Sequence, residues 1–171
     1  AVDSGDDVSA LRAAMQIAIS GNLVSKENYG KGIRLFEELA TKLRQPYSQL
    51  AVLLEAQMYC SIYNSTPWVF NNRAIPVEPA PENVMEWSRD IFATKVSSLV
   101  SASFADVEAA RALPLSAISA IIENGEDAEK MGMTVYDFMS MKSADILEPF
   151  SGNNRASVIP FGYGSAAGNK K

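Results

Sequence analysis

Tyr29, Ile33, Phe36, Ala40 and Leu43 recur at intervals of four, three, four and three residues, which places all five on one face of an α-helix. The opposite face carries Glu27–Lys31 and Glu38–Lys42, two acid-before-base pairs four residues apart that mark the solvated side. Ser25 offers an N-cap just upstream. Alternating runs rich in Val, Ile and Thr, the signature of half-buried strands, are missing apart from a short candidate edge at 157–159. The fold class that follows is all-α.

The same spacing extends in both directions. Val8, Leu11, Met15 and Ala18 share one helical face behind the acids Asp3, Asp6 and Asp7, with Gly21 as the expected stop. Gln45-Pro46 breaks the chain, because proline cannot continue a helix and restrains the residue before it. Tyr47, Leu50, Leu54, Met58 and Ile62 then repeat, with Ala51, Val52, Leu53 and Ala56 between them. A helix apolar over most of its circumference is the central, most buried one, and the short break makes its predecessor an antiparallel neighbour.

Residues 64–81 change character. Asn64, Pro67, Asn71, Asn72, Pro76, Pro79 and Pro81 predict a long extended loop, within which Trp68, Val69 and Phe70 require burial. Pro81-Glu82 is expected to open a fourth helix bearing Val84, Trp87, Ile91, Phe92, Val96 and Leu99. Ser103 with Asp106 predicts a capping box for a short helix holding Phe104 and Val107. After Leu113-Pro114, a further helix takes Leu115, Ile118, Ile121 and Ile122 and ends at Asn124-Gly125. Thr134 and Asp137 cap a last helix with Val135, Phe138, Met139 and Met141, closed by Pro149. The expectation is an antiparallel bundle of about six or seven helices over 1–149, with hairpins 6–63 and 81–149 joined by the loop 64–80. An extended arm, 150–171, follows.

Within the second helix, Asn28-Tyr29, Gly32-Ile33, Phe36 and Leu39-Ala40 form a pattern that resembles the second helix of a tetratricopeptide repeat. It covers about 35 residues, departs from the family at Leu39, where that family places Ala, and has no second copy one period later. The resemblance implies antiparallel helix pairing.

The chain has no histidine and one cysteine, Cys60. Serine–histidine and cysteine–histidine nucleophile pairs, His-bearing zinc sites and the facial iron triad all need histidine, and thiolate clusters need several cysteines. Gly30-Lys31-Gly32 lies in a helical pattern rather than after a strand, so it is no phosphate loop. The run 123–129 lacks the alternating acids of a calcium loop and reads as a helix stop followed by an acidic start. Cys60, without a basic sequence neighbour, reads as a buried thiol. Lys26, Lys31, Arg34, Lys42 and Arg44 interleave with Glu27, Glu37 and Glu38, a salt-bridged face. No catalytic residue, cofactor or metal is expected.

A net charge of −5 over 171 residues disfavours nucleic acid as a partner, and no apolar run approaches the ~20 residues of a membrane span. The chain is therefore expected to be soluble, while association with a membrane complex stays compatible with it. The first residues show no targeting peptide; methionine removal and leader cleavage both leave an Ala1 start, and the compartment stays open.

The functional expectation is a non-catalytic helical subunit or adaptor of a larger protein assembly. Its partner-binding residues are Trp68 and Phe70 in the 64–80 loop, and Val158, Ile159, Phe161 and Tyr163 in the arm. The arm carries +3 from Arg155, Lys170 and Lys171 against −8 for residues 1–149, the balance of the net −5. Burying its four apolar side chains contributes on the order of 6–10 kcal/mol, less than the ~12–24 kcal/mol needed to order a dozen residues, so docking needs a prepared surface. Two alternatives stand beside this reading. One is a binder of a small hydrophobic ligand or pigment, lined by Trp68, Phe70, Trp87 and the cluster Met131, Met133, Met139 and Met141. The other is a carboxylate-dependent hydrolase or lyase using Glu78, Glu82 and Glu86.

Overall fold

A computed structural model describes residues 6–24, 29–73, 80–122 and 130–151. Among these residues the fold is all-α, with seven helices and no strand. They are α1 (Asp7–Val24), α2 (Tyr29–Lys42), α3 (Tyr47–Ser65), α4 (Pro67–Asn71), α5 (Arg89–Ser103), α6 (Glu108–Ala112) and α7 (Val135–Leu147). No helix among the described residues is long and apolar enough to cross a membrane.

The bundle is organised around α3. Leu50, Ala51, Leu53, Ala56 and Ile62 are buried at positions all round this helix. Its neighbours explain why: α2 and α5 flank it along most of its length, α7 and α1 pack against it, and α4 folds over its end. Gly32, near the start of α2, meets Met58, near the end of α3, so these two helices run antiparallel as the short break implies.

The α2 stripe buries Tyr29, Ile33 and Phe36, and Leu43 just beyond the helix, as its spacing requires. Leu39 rather than Ala40 fills the remaining buried position, because both lie near the stripe and the larger side chain removes more apolar surface from water. On the solvated side Lys42 and Glu38 pair at 3.1 Å. The proposed cap Ser25 and the pair partner Glu27 lie outside the described residues.

Three expected boundaries move. Helix α1 continues through Gly21 to Val24, since glycine weakens a helix interior by about 1 kcal/mol but does not forbid it. Residues 67–71 are the helix α4 rather than extended chain, with Pro67 at the first helical position, where its missing N–H leaves nothing unsatisfied. The helix expected from Pro81 opens only at Arg89. Asn83 instead caps a single 3-10 turn, Val84–Glu86, Trp87 is extended, and the Ser88 hydroxyl accepts from the Ile91 amide to start α5.

Ser103 and Asp106 form no capping box. Ser103 is the last residue of α5, is fully buried, and its hydroxyl donates back to the Val100 carbonyl at 2.8 Å. Asp106 accepts from the Glu108 amide instead, and Phe104 and Val107 fall between helices. The segment after Pro114 winds as a 3-10 turn, Leu115–Ile118, rather than a full helix. It is held by two backbone bonds to the start of α7, Leu115 N to Met133 O and Val135 N to Leu113 O. The capping box of Thr134 and Asp137 forms as expected. The stop at Asn124-Gly125, the run 123–129 and the edge at 157–159 lie outside the described residues.

Two polar contacts fix the relative placement of helices. Asp7, in the first turn of α1 and only 5% exposed, accepts from Arg44 Nε at 3.1 Å, which ties α1 to the turn between α2 and α3. Gln49 in α3 donates to the Asp106 carbonyl and joins the central helix to the α5–α6 connection.

Among the described glycines, Gly32 has the closest neighbours. A Cβ there would lie 2.8 Å from the terminal methyl of Met58 and 3.5 Å from Ala18 Cβ. Because the nearer obstacle is the end of a flexible side chain, Gly32→Ala is expected to change stability by less than about 1 kcal/mol. Gly32→Leu should lose about 2–3 kcal/mol through overpacking. Urea unfolding of the two variants checks this, and similar midpoints for both would contradict it.

Candidate functional site

The site is built on the end of α3. Tyr63 there packs against Phe70 at 6.1 Å between ring centroids, Phe92 at 5.8 Å and Phe150 at 4.7 Å. Its hydroxyl donates to Asn71 Oδ1 at 2.8 Å. One residue thereby holds α4, α5 and the chain following α7. Phe70 is fully buried, its ring edge-on to Phe92 at 4.8 Å, with the Arg73 guanidinium 5.6 Å from its centroid.

Helix α4 is thus pinned through Phe70 and Asn71, and its other side faces water. Trp68 is 64% exposed and Val69 is 36% exposed. Asn72 Nδ2 donates to the Trp68 carbonyl at 2.9 Å and fixes the backbone beneath the indole. The two loop residues singled out in the sequence therefore separate: Phe70 anchors the segment to its own body, and Trp68 stands on the surface. Burial of all three apolar residues is not achieved because a helix of five residues presents only part of its circumference to the core.

The aromatic row continues from Phe92 to Trp87 at 5.2 Å, and from Trp87 to Tyr59 at 5.2 Å with ring planes only 8° apart. The Trp87 indole N–H donates to the Pro81 carbonyl at 2.7 Å, which draws this residue out of any helix. The buried rings of Tyr29, Tyr59 and Trp87 border, with Ile33, Val84 and Met85, a half-open cavity of about 530 Å³. Arg34, Glu82 and Asn83 supply its polar lining.

One helical turn before Tyr59 lies a buried carboxylate. Glu55 is 3% exposed, and Lys95 of α5 lies 3.2 Å from its Oε1, an ion pair without aligned hydrogen-bond geometry. The same ammonium sits 5.3 Å from the Tyr59 ring centroid. Burial raises the Glu55 carboxyl above its ordinary 4.5; Lys95 opposes that shift and Glu37 adds to it. Burial likewise pushes the Tyr59 phenol upward, reinforced by the charges of Glu55 and Glu37. Cys60 is buried as expected, and burial outweighs an opposing Lys142 to raise its thiol. That lysine, distant in sequence, is a basic neighbour the sequence did not reveal.

The other sequence candidates disperse. Val158, Ile159, Phe161, Tyr163 and Glu78 lie outside the described residues. Glu82 and Glu86 are both exposed, and Glu86 accepts from the Asn83 amide at 3.3 Å. Of the methionines, Met139 is fully buried in α7, whereas Met131 and Met141 are 76% and 50% exposed, so they line no common core. Trp87 does reach a cavity, but in company with tyrosines rather than with Trp68 and Phe70. Among the described residues no three acidic or thiol side chains converge as metal ligands would.

Compared with known protein families, curated proteins and solved structures, the chain matches none of them. The likeness of α2 to a tetratricopeptide helix rests on its own residues.

Lys95→Met is expected to destabilise the fold by about 2–3 kcal/mol at pH 7, below the full range for buried pairs because Lys95 keeps about a third of its exposure. Because the native Glu55 pKa is raised, its contribution is fully present below the unfolded value and lost as pH rises through the folded one. The deficit of Lys95→Met should therefore shrink as pH falls from 7 through the folded-state titration of Glu55, which lies above 4.5 and higher still without Lys95, and should be small by about pH 4.5. Adding Glu55→Gln should recover most of the loss at pH 7. Thermal unfolding of the single and double variants from pH 4 to 7 measures both effects, and a pH-independent deficit would contradict the account.

Proposed function

We propose that this chain is a non-catalytic helical subunit or adaptor, which docks a protein partner through the Trp68–Val69 side of α4. The observation that carries the reading is the 64% exposure of Trp68 on a short helix whose next-but-one residue is fully buried. Tryptophan is enriched among the residues that dominate binding energy at protein interfaces, because its large rigid ring loses little conformational freedom on burial. Here the backbone beneath the ring is already fixed by Phe70, Asn71 and Asn72, so binding does not have to order it.

The second part of the proposal assigns partner binding also to Val158, Ile159, Phe161 and Tyr163 of the arm, on its apolar content and its charge opposite to the body. The place to divide arm from body is after Ser151. Phe150 packs on Tyr63, and its carbonyl accepts from Arg89 at 2.8 Å, so a cut at Pro149 would damage the fold itself.

Trp68→Ala should leave the melting temperature within the range of a surface substitution, about 0.5 kcal/mol, since the indole supports little of the body. In native extract it should lower the mass of the species containing this chain toward that of the isolated chain. Deletion of 152–171 should act in the same direction, again without a fall in melting temperature. Native mass measurement on wild type and both variants decides the matter. An unchanged assembly mass for Trp68→Ala would overturn the docking role of α4, and a lowered melting temperature with intact assembly would reassign the deleted segment to the fold.

A further inference from the structure

The two elements assigned to partner binding meet at one place on the body. Phe150, just before the division at Ser151, packs on Tyr63 at 4.7 Å, and Tyr63 packs on Phe70 at 6.1 Å. Phe70 is the buried anchor of α4, next but one to Trp68. Arg89, at the start of α5, donates to the Phe150 carbonyl at 2.8 Å and fixes where the chain leaves the body. The arm therefore departs beside the base of α4. Val158 follows Ser151 by seven residues, a reach of at most about 25 Å. A standard interface covers roughly 800 Å² on each partner, a patch about 30 Å across, so one partner surface spans both elements.

Charge narrows what that partner surface carries. Around α4 and the root of the arm, Arg73 lies over the Phe70 ring, Arg89 and Asp90 open α5, and Glu148 precedes Phe150 by two residues. Those two cations and two acids cancel. Between Glu55 and Glu78 the sequence holds no acid. Arg155, Lys170 and Lys171 then set the sign of the combined surface at +3, on a chain whose net charge is −5. Juxtaposing like charges across an interface is unfavourable, whereas opposite charges at its rim speed encounter and make association sensitive to salt.

We infer that the Trp68–Val69 side of α4 and the arm are two parts of one interface, and that this interface takes an acidic protein surface with an apolar centre. The apolar centre covers Trp68 and Val69 together with the arm's Val158, Ile159, Phe161 and Tyr163, and carboxylates around it face Arg155, Lys170 and Lys171. The inference rests on the docking role proposed for α4 and the arm, and adds that they share one partner and what its surface carries.

Native mass measurement on the purified assembly tests both parts. Trp68→Ala and deletion of 152–171 should each release the same mass. On dilution of the wild-type assembly, the concentration at half-dissociation should rise at least about tenfold between about 50 and 500 mM NaCl, as screening removes the charge attraction. A triple variant, Arg155→Gln with Lys170→Gln and Lys171→Gln, keeps the apolar cluster; it should show most of that rise already at 50 mM and little further response to salt. Release of different masses by Trp68→Ala and the deletion would overturn the single interface. Dissociation indifferent to salt, or a triple variant that behaves as wild type, would overturn the acidic partner. A released species with this chain's own mass would support the inference and identify the acidic surface as the body of a second copy. An assembly mass unchanged by Trp68→Ala overturns the docking role itself, which no salt result does.

Discussion

Tyr63 makes two demands that one local arrangement satisfies. Its ring needs apolar neighbours, and its hydroxyl, at a largely buried position, needs a polar partner. Phe70, Phe92 and Phe150 meet the first demand from three segments distant from one another in the chain, and Asn71 meets the second. Since Phe70 and Asn71 belong to the same five-residue helix, satisfying Tyr63 also determines which way α4 faces. The exposure of Trp68 is a geometric consequence of that choice. The tryptophan is outside because its neighbours two and three residues on are held inside or at the edge.

A similar dependence links the interior to the cavity. Lys95 neutralises Glu55 and lies close to the Tyr59 ring, and Tyr59 in turn stacks on Trp87. Removing a carboxylate from water is unfavourable, and a single lysine that also contacts the adjacent ring makes burial of Glu55 tolerable. The chain from Pro81 to Ser88 then follows the indole rather than helical geometry, which gives the cavity its outer wall.

Fold class, the central position of α3 and the buried face of α2 were legible in the sequence because they depend on apolar spacing along one helix at a time. Thr134 and Asp137 were legible for a related reason, since both partners of their capping box lie within one turn. The start of α5 was not, because Pro81 and Ser88 both carry helix-opening signals and only the long-range stack of Trp87 on Tyr59 selects the later one. Ser103 and Asp106 misled in the same way: their spacing fits a capping box, but burial against the core draws Ser103 into the preceding helix. The partition of Trp68 from Phe70 required knowing that α4 is a helix pinned from one side. Lys142 acts on Cys60 across space, and nothing in the sequence neighbourhood of either reveals it. Glu55 did leave a trace, a lone carboxylate in the middle of an otherwise apolar run, to which a buried basic partner is the physical corollary.

The central claim is that α4 holds Trp68 in water so that a partner can cover it. Fluorine NMR of the chain carrying 5-fluorotryptophan observes both indoles, and Trp68→Phe identifies which resonance belongs to Trp68. The account predicts a large change on exchanging H2O for D2O at Trp68 and a small one at Trp87 in the isolated chain, with the Trp68 response lost in the native assembly. A Trp68 resonance as insensitive to solvent as Trp87 in the isolated chain, or one equally sensitive before and after assembly, would contradict it.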